Sequence, residues 1–142
     1  MQSSSSNYLS KFHEQFDFFM NLLSDIFNDN PEIQSRISML RLFEKTNVRK
    51  VSEFIYHEFI PYEKEINEMN QNFFLDLANE MKNSPKLAKY EDEFNSIINL
   101  IYVHIDDPIM NEISNENSKE TNKIRIWKYI RVLLFLTKKL NE

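Results

Sequence analysis

A chain of 142 residues, 42% of them hydrophobic, is long enough to bury one core, so a single domain is expected. It has no glycine and no cysteine; the first absence excludes the P-loop, the GxGxxG dinucleotide turn and the kinase glycine-rich loop, the second disulfides, thiolate nucleophiles, cysteine zinc sites and iron–sulfur clusters. With 22 acidic residues against 17 Lys and Arg, the net charge of −5 argues against nonspecific DNA binding by the domain as a whole.

Residues 1–7 are a polar, serine-rich stretch with neither a charged start nor an apolar run, read as a disordered N-terminus without a signal peptide. A helical domain is expected over 8–142. Its first helix carries Leu9, Phe12, Phe16, Phe19, Met20, Leu23, Ile26 and Phe27 at spacings of three and four, with polar residues between them. Asn30-Pro31-Glu32 supplies an N-cap, a proline for the first helical position and an acid for the first turn. The helix it opens has the stripe Ile33, Ile37, Leu40 and Phe43 or Glu44, and breaks at Thr46 and Asn47.

A third helix follows through Val48, Val51, Phe54, Ile55 and Phe59, and is expected to stop or kink at Pro61, because proline disfavours helical geometry in the residue before it. Tyr62, Ile66, Met69, Phe73 and Leu77 continue the period as a fourth helix or a kinked extension. Ser84-Pro85 opens a fifth, with Leu87, Tyr90, Phe94, Ile97 or Ile98, Ile101 and Ile105 on its stripe, ended by Asp106-Asp107-Pro108. A single turn around Ile109, Met110 and Ile113 precedes a polar linker, Ser114 to Ser118, and the last helix runs from about Lys119 to Leu140. Strands would need turn residues this glycine-free chain lacks. The expected fold is therefore all-α, a single-domain irregular bundle of five to seven helices.

Residues suited to catalysis are scattered. His13, His57 and His104 fall on three different helices and form no H-x-x-x-H or E-x-x-H pair, so no metal ligands are assigned; Asp17 and Glu53 could share a face with His13 and His57. Glu63, Glu65 and Glu68, and Glu91, Asp92 and Glu93, fall on solvated faces, where carboxylate pKa values have no reason to separate. No catalytic residue and no cofactor is expected.

Two features stand out. Aromatic residues make up 13% of the chain; Phe12, Phe16, Phe19, Phe54, Phe73 and Phe94 lie on core stripes, whereas Phe18, Phe74 and Tyr102 lie beside them and would leave apolar surface for another chain to cover. Charge is also segregated. From Lys119 to Glu142 seven basic residues face two acidic ones, a net +5 within a chain of −5, so the remainder carries −10. The basic helix either docks on its own acidic body or contacts an acidic partner.

The pieces Phe16-x-x-Phe19, Asn30-Pro31, Phe54 to Ile60 with Pro61-Tyr62, Asn72-Phe73-Phe74-Leu75 and Ile126-Trp127-Lys128-Tyr129-Ile130 together resemble a group of short, lysine- and asparagine-rich helical proteins encoded by giant DNA viruses of protists and algae. The resemblance spans Phe12 to Leu136. It implies a viral origin and a setting in the cytoplasm or viral factory of an infected cell, or in the virion, and transfers no site residue.

The expected function is a non-enzymatic protein–protein interaction module, binding a protein partner or a second copy through aromatic helix faces, with Phe18, Phe74, Tyr102, Trp127 and Tyr129 as candidate contacts. The alternative is a nucleic-acid-associated factor, with Lys123, Arg125, Lys128 and Arg131 on phosphates and Trp127 or Tyr129 stacking on bases. No membrane contact is expected: the densest apolar stretch, Ile124 to Leu136, is interrupted by Arg125, Lys128 and Arg131. The last helix is expected to be central, touching at least two others, with Trp127 as its main anchor and Arg125, Lys128 and Arg131 at the rim.

Overall fold

The computed structural model describes residues 3–70, 72, 76, 108–113 and 120–142. Within these the chain is all-helical, with no strand beyond one isolated bridge, Ile113 to Thr121. Four helices are long: α1 (Ser3–Ile26), α2 (Pro31–Thr46), α3 (Val48–Phe59) and, after the short α4 (Glu63–Glu68), α5 (Asn122–Asn141). The expected helix from Ser84-Pro85 to Ile105, the linker Ser114 to Ser118, and Phe73, Leu77 and Phe94 lie outside the described residues.

Local chemistry sets most boundaries. Asn30 is extended (φ −110°, ψ 100°) and its Oδ1 accepts from the Ile33 amide at 3.1 Å, with Pro31 at the first helical position. At the far end of α2 the Asn47 amide and the Thr46 hydroxyl both donate to the Phe43 carbonyl, and α3 begins at the next residue. Pro61 breaks the following helix as expected: α3 ends at Phe59, a 3-10 turn covers Ile60–Tyr62, and α4 resumes at Glu63. α1 differs from expectation by starting at Ser3, inside the stretch read as disordered. Serine costs only a few tenths of a kcal/mol more than alanine in a helix, so an amphipathic helix already formed extends through it.

α4 ends in a Schellman arrangement, with the Asn70 amide donating to the Glu65 carbonyl (2.9 Å) and the Met69 amide to the Ile66 carbonyl (3.1 Å). The geometry needs a left-handed residue, usually glycine; here Met69 takes it, at φ 53°, at a cost of roughly 1 to 2 kcal/mol for a residue with a Cβ.

α1 and α2 form an antiparallel hairpin: Gln34 Nε2 donates to the Ser24 and Phe27 carbonyls near the loop, Arg41 reaches the Asp17 carbonyl and Asn21 further back, and Glu44 meets His13 beyond them. α5 runs antiparallel to α1, its most extensive neighbour, and also packs on α3 and α4. The core holds Phe12, Phe16, Phe19, Met20 and Leu23 of α1, the Ile33, Ile37 and Leu40 stripe of α2, and Val51, Ile55 and Phe59 of α3. Ile126, Trp127, Ile130, Leu133, Leu134 and Leu136 join it from α5, with Trp127, 1% exposed, the largest of the fully buried side chains. The last helix is thus central, as its spread of apolar positions requires. It begins at Asn122 and not near Lys119, because Thr121 caps it, Oγ1 accepting from the Ile124 amide at 3.3 Å. A 3-10 turn (Pro108–Asn111) is pinned to this end: Asn122 donates from its backbone to the Glu112 carbonyl and from Nδ2 to the Ile109 carbonyl, and Met110 is buried below.

Candidate functional site

One buried ionisable pair was not foreseen. Glu44 sits on the inner stripe of α2, only 2% exposed, and takes two hydrogen bonds from His13 Nδ1, at 2.6 and 2.9 Å. Loss of solvation raises its carboxyl above the usual value, against the lowering pull of the His13 hydrogen bond and charge. His13 thus finds its carboxylate on another helix, 31 residues away, while Asp17 faces Arg41 at 3.5 Å. The pair bridges α1 and α2 and fastens one to the other. His57 lies exposed, edge-on to Tyr56 at 5.2 Å, and His104 is outside the described residues. Among the described residues no group of three or more His, Asp or Glu could hold a metal ion.

The strongest surface feature is the outward side of α5. At 100° per residue, Arg125, Lys128, Val132, Phe135 and Lys139 follow one another along one side, with Arg131 at its edge. Phe135 is 55% exposed and Val132 39%. Lys139 Nζ stands 5.5 Å from the Phe135 ring centroid, a cation–π contact that keeps the ring flanked by charge. Lys128 pairs with Glu120 just before the helix, and Arg131 donates to the Asn67 carbonyl at 3.4 Å. Lys138, turned toward α4, binds Glu63 at 2.5 Å; that hydrogen bond, opposed by partial desolvation, holds its ammonium above the ordinary lysine range. The basic helix therefore docks on its acidic body through Lys138, while Lys128, Arg131 and Lys139 stay exposed.

Trp127 is in the interior, which removes it from any contact face in this fold. Tyr129 is half-buried and stacked on Phe19 of α1, with centroids 5.7 Å apart and planes at 22°. Phe18 is 45% exposed, as expected of a residue beside the stripe, and Phe74 and Tyr102 lie outside the described residues. Of the four candidate phosphate contacts, Lys128 and Arg131 are exposed and Lys123 and Arg125 half-buried. Val132 and Phe135 were missed, although their spacing from Arg125 and Lys128 was legible. So were Met39 and Leu42, on the side of α2 turned from its stripe.

Comparison of the chain with protein-family models, with curated proteins and with solved structures finds no match in any of the three. Among the described residues no helix is long and apolar enough to cross a membrane.

Proposed function

We propose that this protein is a non-enzymatic interaction module that engages another protein through the outward side of α5. The observation that carries this reading is Phe135 and Val132, exposed one helical turn apart and framed by Arg125, Lys128, Arg131 and Lys139. An apolar centre with a charged rim is the usual anatomy of a protein contact, and the basic rim selects a surface bearing carboxylates. Trp127 is left out of the contact and Phe18 kept as a lateral contributor. The resemblance to viral helical proteins makes the role that of an accessory or structural subunit in an infected cell, and five to seven helices remain the proposed count for the whole chain.

The nucleic-acid reading has the same exposed cations in its favour, but its stacking platform is weakened, since Trp127 is buried and Tyr129 already stacks on Phe19. A photocrosslinking residue at position 135, in protein expressed in cells, tests the proposal. Protein adducts that vanish in the Arg131→Glu, Lys139→Glu variant are expected. Absence of any protein adduct, with retention on nucleic acid that weakens steeply with salt, would overturn it in favour of the rival.

A further inference from the structure

The outward side of α5 has two flanks, and they differ. On the α4 flank, Phe135 and Arg131 border a small groove with Glu63 and Asn67, bridged by Lys138 to Glu63 and by Arg131 to the Asn67 carbonyl. On the α1 flank a cleft of about 270 Å³ lies between Gln15 and the Arg125, Lys128 and Val132 side of α5, with Tyr129, stacked on Phe19, in its floor. A second, of about 620 Å³, opens beyond it, lined by Leu22 and Ile113 with Asp25, Asp29, Glu112 and Arg125. Arg125 borders both, so the two run on as one trough along the α1–α5 seam. Phe18, 45% exposed, falls on the same side of α1 as Gln15 and Leu22, three residues from one and four from the other. Val132 stands across the seam and Ile113 at one end, both exposed.

Charge is ordered along this trough. At the cleft end three carboxylates, Asp25, Asp29 and Glu112, stand with one guanidinium, Arg125. At the other end Lys11 continues the Gln15–Phe18–Leu22 side of α1 and Lys139 the Arg125–Lys128–Val132 side of α5, both exposed. Lys128, between the ends, is tied to Glu120.

We infer that this seam takes one amphipathic helix of a partner protein, lying antiparallel to α1 with its N-terminus over the acidic cleft and its C-terminus over Lys11 and Lys139. This deepens the proposed function, rests on it and names the partner's chemistry: basic residues in the first turns, acidic residues in the last, and apolar ones between them at spacings of three and four. A helix fits because both walls are helices whose main-chain groups are already bonded; an extended strand would find no ladder to join, whereas a helix brings its own hydrogen bonds. Charge fixes the direction, since carboxylates favour the positive end of a helix and lysines its negative end. From Lys11 to Asp25, and from Arg125 to Lys139, is about 21 Å at 1.5 Å per residue, so a helix of about 18 residues spans the trough and its terminal cleft. A polyanion would meet the lysines and be repelled by the cleft.

Two dye-labelled helices of about 18 residues, identical in composition and apolar stripe, test this by fluorescence anisotropy against the purified full chain. One has lysines in its first turns and glutamates in its last, the other the reverse; both are hydrocarbon-stapled, because the first order opposes the helix's own dipole. The first is expected to bind at least tenfold more tightly at low salt, and the ratio to fall toward one in 0.5 M salt. Asp25→Lys with Glu112→Lys, and separately Lys11→Glu with Lys139→Glu, should each bring the ratio below threefold, and all four changes together should invert it. Phe18→Ser should weaken both helices and leave the ratio alone. If a reversed chain loses its helical circular dichroism, the neutral pairs Asp25→Asn with Glu112→Gln and Lys11→Gln with Lys139→Gln replace it, each lowering the ratio. Equal binding of the two orders, a preference for the reverse, no binding of either, or a ratio untouched by every charge variant overturns the docked helix. A photocrosslinking residue at position 18 separates this outcome from failure of the proposed function: adducts to a different protein are expected at both 18 and 135. Adducts at 135 with none at 18 overturn the seam alone, an adduct at 18 to a second copy of the chain overturns the separate partner, and no protein adduct at either position removes the proposed function as well.

Discussion

Residues 132–136 of α5 are five consecutive apolar side chains with two opposite fates: Leu133, Leu134 and Leu136 are buried, Val132 and Phe135 exposed. Composition does not separate them, and phenylalanine is the most hydrophobic of the group by area. Rotation does. Each step turns the side chain by 100°, and α1, α3 and α4 cover only one side of the helix. The inner side therefore carries stability, and the outer side leaves Val132 and Phe135 exposed.

The sharpest way to break this contrast is Trp127→Ala. Removing the largest fully buried side chain should cost about 3 to 5 kcal/mol, read from the urea midpoint of unfolding; a loss below about 1 kcal/mol would show that the inner side is not the core it is taken for. Leu134→Ala should cost about 2 to 5 kcal/mol by the same mechanism. Its neighbour supplies the control at the end of the scale.

Glu44 tests a buried position of the opposite kind, where a charge and not an apolar group is covered. Burial raises its carboxyl above the ordinary 4.5, so the folded state holds this proton more tightly than the unfolded chain does. Its contribution to stability is full below pH 4.5 and is lost as pH rises through the raised folded-state value. Glu44→Gln keeps an acceptor for His13 and removes the charge. The variant should gain on the wild type as pH rises from about 4 to 7, measured by denaturant midpoints across that range; a gap that moves the other way would mean that the His13 interaction outweighs desolvation.

The smallest expected effect on stability is at the outer side. Phe135→Ser should change it by no more than about 0.5 kcal/mol, read from the same urea midpoint. A large loss of stability there would place Phe135 in the core of the chain and end the contrast.

Much of the fold could be read in advance because it is written over short spans. The cap at Asn30 with Pro31, the break at Thr46 and Asn47, and the interruption at Pro61 each depend on two or three adjacent residues. The candidate site was less legible. Basic Lys128 and Arg131 were picked out by charge, but Phe135 was read only as part of a run too apolar to be wet on all sides, and the outer position of one ring within that run depends on which helices lie against it. Asn122 looks like an ordinary polar residue until the 108–113 turn takes its amide and leaves its oxygen unmet.

The sequence by itself determined an all-helical chain, the corners of the α1–α2–α3 path, and the exclusion of phosphate-cradling and thiol chemistry, because period, capping and residue inventory are local properties. Tertiary structure alone decided that Glu44 would be buried against His13, that Phe135 would face outward, and that Met69 would take the left-handed position closing α4. The physical reason is that burial belongs to pairs of helices: a residue is covered only when another element arrives, and in a run as uniformly apolar as 132–136 the spacing does not state which side that will be.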